Sequence, residues 1–148
     1  TNADAVAALL DEAERWITKT KDACLRARLV DQRAYPLNRA GDHAAAEALF
    51  AALPTKGPPF ALYRRASGLA YAAWKKGSKA SAAELAREAC RHAGDGGHLR
   101  LRAMGLQTLA RILGDKNAEG NEAKRRAAAI VEALDDEALR LRFRLATS

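Results

Sequence analysis

The chain has 148 residues, 49% apolar, 5% aromatic and 29% charged, with 25 Lys and Arg against 18 Asp and Glu and a net charge of +7. This length suits one domain with a real core, and apolar content carried by alanine and leucine, with few β-branched residues, argues against a sheet-based fold. No apolar run approaches the ~20 residues that span a membrane, so membrane insertion is not expected, and the positive charge suits either a solvated exterior or an acidic partner.

Helical periodicity and breakers predict seven or eight helices in chain order. The first covers about 3–18, with Asn2 or Asp4 as its cap and Leu9, Leu10, Ala13, Trp16 and Ile17 on one face. The second covers about 21–40 and ends at Gly41; Pro36 lies inside it, so this helix either kinks or stops near Ala34. The third runs to Leu53, after which Pro54, Gly57, Pro58 and Pro59 break the chain. The fourth covers about 60–76 and stops at Gly77. Ser78 or Ser81 caps the fifth, which runs to Ala93 ahead of Gly94-Asp95-Gly96-Gly97. The sixth covers about 98–113, a loop follows through Gly120, and the seventh covers about 122–134. A last helix starts near Asp136; its alternation from Leu139 to Leu145 suits a strand, but the matching stretch at Leu99 opens a helix.

The chain repeats itself. Leu99-Arg100-Leu101-Arg102 returns forty residues on as Leu139-Arg140-Leu141-Arg142. Ala46, Phe50 and Leu53 follow Gly41 at offsets of five, nine and twelve, and Ala82, Ala86 and Ala89 follow Gly77 at the same offsets. Self-similarity at this period marks stacked helical units, none of which can bury its apolar face alone.

These residues give a resemblance to the tetratricopeptide-repeat family. Its central unit reads Ala66, Leu69, Ala70 and Ala73, then Gly77, then Ala82, Ala86 and Ala89. The unit before reads Val30, Ala34 and Leu37, then Gly41, then Ala46, Phe50 and Leu53; the unit after reads Leu106, Leu109, Ala110 and Leu113, then Ala123, Ala127 and Ile130. The spacing is 36 residues once and 40 thereafter, against ~34 in the family, and resembles the alanine-rich ~40-residue repeats of large bacterial regulators. No unit carries the full tryptophan–glycine–tyrosine–proline set, and Arg33 stands where the first should have leucine. The resemblance implies an all-α, right-handed α-solenoid of antiparallel helix pairs in one domain, 1–148, with repeats at about 21–57, 60–96 and 98–135 and a partial one at 136–148, as in a segment of a longer protein.

The resemblance also implies a function. In such stacks the first helix of each pair lines a concave groove that receives a protein or peptide. Aligning the repeats puts Tyr35, Tyr71 and Arg111 in one column, Asn38 and Trp74 in a second, Arg28 and Arg64 in a third, and Asp31, Ser67 and Gln107 in a fourth. Aromatic and arginine side chains dominate interface hot spots, and arginine grips carboxylates, so a partner segment is expected, an acidic one being the variant the arginines favour, with Tyr71 and Trp74 as core residues the competing reading. Self-association through the incomplete terminal repeat is a further expectation, and nucleic acid is the alternative ligand.

No enzyme, metal or cofactor signature is present. Asp115-Lys116-Asn117-Ala118-Glu119-Gly120 imitates a calcium loop, but Arg126 stands where the bidentate glutamate belongs. The Gly94–Gly97 turn lacks the lysine and hydroxyl of a phosphate loop. Cys90, His92 and His98 are poorly spaced for a metal, and His43 suggests nothing. Cys24 and Cys90, far apart, read as small buried hydrophobes. No basic-then-apolar leader opens the sequence, so the cytoplasm is the expected location.

Overall fold

The computed structural model describes the backbone of residues 1–147 and the side chains of residues 1–144. Among the described residues there are eight helices and no strand: α1 (Asn2–Thr20), α2 (Ala23–Arg39), α3 (His43–Ala51), α4 (Pro59–Lys75), α5 (Lys79–Asp95), α6 (Leu99–Leu113), α7 (Ala118–Ala133) and α8 (Glu137–Thr147). The C-terminal end of the partial repeat, 145–148, lies outside the residues whose side chains are described. No helix among the described residues is long and apolar enough to cross a membrane.

Local chemistry starts and stops these helices. Asp22 accepts hydrogen bonds from the Cys24 and Leu25 amides at 2.8 and 2.9 Å, Asp42 from Ala45 at 3.0 Å, and Asp136 from Leu139 at 2.9 Å. Gly41 and Gly77, at φ 83° and 84°, end α2 and α4 identically. In each the next amide reaches five residues back, Asp42 to the Leu37 carbonyl and Ser78 to the Ala73 carbonyl, both at 2.9 Å. A left-handed turn of this kind suits glycine, which has no Cβ to clash.

Two boundaries differ from expectation, whereas α2 runs through Pro36 to Arg39, as the reading of one helix over about 21–40 has it. Thr1, not Asn2 or Asp4, caps α1, in a reciprocal pairing with Asp4. α7 begins at Ala118 rather than near 122, because Asn117 caps it by accepting from the Gly120 amide at 3.0 Å. The calcium-like stretch is therefore a helix cap, and Gly120 is a packing residue: a Cβ there would lie 3.0 Å from the Gly114 carbonyl oxygen and 3.1 Å from Leu113 Cβ.

Helices whose backbones approach closely are consecutive, or are α2 with α4 and α4 with α6. α2, α4 and α6 thus form one row, bridged by α3 and α5. Alanine dominates the core between them. Ala70, Ala73, Ala82, Ala86, Leu106 and Leu109 share one cluster across α4, α5 and α6, extended by Ala123 and Ala127 of α7. Ala27, Ala34, Ala46, Phe50 and Leu53 form another around α2 and α3. The residues aligned as repeat columns are the residues that fill the core, because small side chains let helix axes approach. The LRLR echo is not a structural equivalence. Leu99 is the first residue of α6 and 47% exposed, whereas Leu139 is the third residue of α8 and fully buried.

α1 has no buried residue and leaves Leu9 and Trp16 exposed. It is tied to α2 by Arg33, whose Nη2 donates to Asp11 at 2.7 Å and Glu14 at 2.8 Å. An arginine at the leucine position thus bridges two helices through charge instead of packing.

Arg87 clamps α5 to α7. Its Nε and Nη2 donate to the two Glu119 oxygens at 2.6 and 2.7 Å, and its Nη1 pairs with Glu84. The Arg87 hydrogen bond holds the Glu119 carboxyl below its ordinary range. A depressed carboxylate contributes stability above its unfolded value, near ~4.3, and loses it as pH falls through the folded value. Arg87→Ala should cost about 0.5–1 kcal/mol at neutral pH. Urea melts should show the wild-type and variant stabilities converging as Glu119 protonates. An unchanged difference at low pH would refute the clamp.

Candidate functional site

The columns assigned to a groove lie on α2, α4 and α6, the row of helices that touch one another, and none of their residues is fully buried. At one end of this row Arg28 and Arg64 share a ring. Their guanidinium carbons sit 5.1 and 5.4 Å from the Phe60 centroid, and Arg64 also approaches Tyr63 at 5.9 Å. Arg64 Nη1 lies 3.3 Å from Asp31, while its Nε is buried without a hydrogen-bond partner. Arg64 and Asp31 therefore answer each other across α2 and α4. Ser67 donates its hydroxyl to the Arg64 carbonyl at 3.2 Å, within its own helix.

Further along, Asp31, Tyr35 and Asn38 line a cavity of about 280 Å³ floored by Ala34 and Phe50. Tyr35 is 61% exposed, and its hydroxyl accepts from Arg39 Nη1 at 3.4 Å. From Asn38 a run of contacts crosses four helices. His43 Nδ1 hydrogen-bonds Asn38 Oδ1 at 2.9 Å. The His43 ring meets Tyr71 edge-on at 6.0 Å, and Tyr71 meets Trp74 likewise at 6.2 Å. Lys75 lies over both rings of that pair, and Arg111 lies 5.2 Å from Trp74 on its other side.

Trp74 also opens a cavity of about 550 Å³, together with Gln107 and Arg111. Its far walls are Lys124, Ala127, Ala128 and Val131 of α7 and Arg140 and Phe143 of α8. A volume of this order suits a ligand side chain or short segment. The charges here are not equivalent. Arg140 is held by Glu132, Asp135 and Glu137 at 3.7, 3.0 and 3.6 Å, and Lys124 lies 3.8 Å from Asp115. Arg111 stacks on Trp74 and, among the described residues, pairs with no carboxylate.

The structure therefore divides the ten predicted residues into three groups. Arg28, Arg64, Asp31 and Ser67 serve contacts around Phe60 and within α4. Tyr35, Asn38 and Tyr71 border the smaller cavity and the aromatic run. Trp74, Gln107 and Arg111 meet at the larger cavity. Trp74 serves two purposes, since it also packs against the alanine core. Sequence reading missed His43 and Phe60, which no periodicity marks. It also missed the α7 wall, although Lys124, Ala127, Ala128 and Val131 show i, i+3, i+4, i+7 spacing.

Cys90, His92 and His98 do not converge. His92 lies 3.4 Å from Glu88, His98 stacks edge-on with Phe60 at 6.1 Å, and Cys90 lines a different cavity. Among the described residues no three His, Cys, Asp or Glu side chains are placed to hold a metal ion. Cys24 and Cys90 are free thiols, each half-buried.

No protein-family model, curated protein or solved structure matches this chain.

Proposed function

We propose that the chain is a tetratricopeptide-like scaffold. In this reading α2–α3, α4–α5 and α6–α7 are antiparallel pairs stacked right-handedly, α8 opens a further pair, and the α2/α4/α6 row lines a concave groove. The groove holds a segment of a cytoplasmic protein partner that places an acidic side chain on Arg111 and an apolar one against Trp74 and Phe143. Four features support the pairing: glycine ends at Gly41 and Gly77, alanine columns in the core, α3 and α5 bridging α2, α4 and α6, and those three helices touching in a row. The observation that carries the function is the cavity at Trp74. Its lining mixes apolar side chains with charged ones, Asp115 and Glu132 among them, and offers one stacked guanidinium, Arg111, that makes no ion pair within 4.0 Å among the described residues. Burial against an aromatic with a charge-assisted hydrogen bond at the rim is hot-spot chemistry.

Selection of binders from a random peptide library tests this. Enriched peptides should carry Asp or Glu beside an apolar residue. Arg111→Glu and Trp74→Ala should each weaken them at least about tenfold, a loss of ~1.4 kcal/mol, with helical content retained. Arg125→Glu, at a residue engaged with Glu122 outside the cavity, should leave binding intact. Equal binding by all variants would refute the groove. Sequence-indifferent binding of duplex DNA, falling by about a thousandfold between ~50 and ~200 mM salt, would replace the peptide with nucleic acid.

A further inference from the structure

Six arginines, Arg33, Arg64, Arg87, Arg100, Arg125 and Arg140, lie within 4.0 Å of a carboxylate. Three that are not paired converge. Arg91 of α5, Arg102 of α6 and Arg126 of α7 line one cavity of about 420 Å³, with Cys90, Gly94 and Asp95. None of the three arginines has an ion-pair or hydrogen-bond partner among the described residues. The Arg102 guanidinium lies over the Gly94 backbone, so close that a Cβ on Gly94 would be 3.9 Å from it. All three guanidiniums act on the same sulfur, that of Cys90, whose thiol burial nevertheless pushes up to about 11.

Three like charges from successive helices, with Asp95 as the only carboxylate in the lining, leave the cavity strongly positive. Cations held together without counter-charge repel one another, and an anion placed between them removes that cost. Guanidinium forks fit the tetrahedral oxygens of phosphate in bidentate fashion, and a dianion matches the two charges left after Asp95. The volume is larger than a bare phosphate needs and admits a small organic group attached to it.

We propose that the Arg91–Arg102–Arg126 cavity binds the phosphate group of a small phosphate monoester. The site is separate from the peptide groove. Lys124 and Arg126 are two residues apart on α7, about 200° around the helix, and line different cavities. Ligand at one face therefore does not occupy the other, and the proposal does not depend on peptide binding.

Calorimetric titration of the full chain with inorganic phosphate and with glucose 6-phosphate tests it, with citrate as a carboxylate anion of comparable size. At least the sugar phosphate should bind with Kd below about 1 mM. Binding of both phosphates assigns recognition to the phosphate itself, whereas binding of the sugar phosphate alone assigns it to the ester; both support the site. Arg102→Gln and Arg126→Gln should each weaken binding about tenfold. Arg125→Gln, which removes the same charge from the adjacent residue, should not. Arg126 is exposed, so its variant keeps the test open if replacing the half-buried Arg102 disturbs folding. In a Cys24→Ser background, saturating glucose 6-phosphate should slow alkylation of Cys90 several-fold. Citrate binding as tightly as phosphate, equal loss in Arg125→Gln, or Cys90 alkylation indifferent to ligand would each overturn the proposal.

Discussion

Leu109→Ala should lower the unfolding free energy by an amount in the upper half of the ~2–5 kcal/mol range for such truncations. Leu109 is 4% exposed and belongs to the cluster that joins α4, α5, α6 and α7. The cost of truncation depends on how well neighbours collapse into the space left behind. Here the neighbours are chiefly Ala70, Ala73, Ala82, Ala86, Ala123 and Ala127. An alanine has no rotamer to rearrange, so apart from what Leu106 and Ile112 can fill, closing the void takes movement of whole helices. The melting temperature should fall by roughly 10 °C, given ~2–4 °C per kcal/mol at this chain length. Urea and thermal melts followed by circular dichroism measure both quantities. A loss under about 1 kcal/mol would show that the four helices do not share this core.

Gly68→Ala should destabilise the chain by about 1–2 kcal/mol, although helix propensity alone predicts a gain of up to ~1 kcal/mol. Gly68 lies inside α4, where a glycine is otherwise a liability. A Cβ at this position would stand 2.4 Å from the Cγ, Cδ1 and Cδ2 atoms of Phe50. The Phe50 ring is 3% exposed and packed among Ala27, Ala34, Ala46 and Leu53, so it cannot swing away. α3 must instead move off α4. The expected signature is a double-mutant cycle: Phe50→Leu, destabilising by itself, should recover part of the Gly68→Ala loss because the smaller side chain vacates the clash. A stabilised Gly68→Ala variant would mean that α3 and α4 are not in this contact.

These two residues also show how much was legible beforehand. Leu109 belongs to a repeat column read from spacing alone, and its burial follows from that column. Gly68 carries no mark in the sequence, since its role depends on a ring eighteen residues away on another helix. The same contrast runs through the candidate site. Trp74, Gln107 and Arg111 line one cavity. Arg28 and Arg64, equally well aligned, are drawn to Phe60 and Asp31 instead. His43, set aside as uninformative, joins Asn38 to Tyr71. Alignment identifies a helix face, but the partner of a long charged side chain is whichever group lies within reach in space.

What the sequence by itself determined is the helical class, the order of the elements and most of the core. Those follow from short-range rules: alanine and leucine at helical spacing, an aspartate at an N-terminus, and a glycine where φ turns positive. Where two short-range signals competed, as at residues 115–120, the calcium-like pattern hid a helix cap at Asn117. Only the tertiary structure decided that Leu99 is exposed while Leu139 is buried, that α1 lies on the surface bound through Arg33, and that Lys124 and Arg126 serve opposite cavities. Each of these depends on which helix stands beside another. That is set by the summed burial of small side chains along several helices and is written in no single stretch of chain.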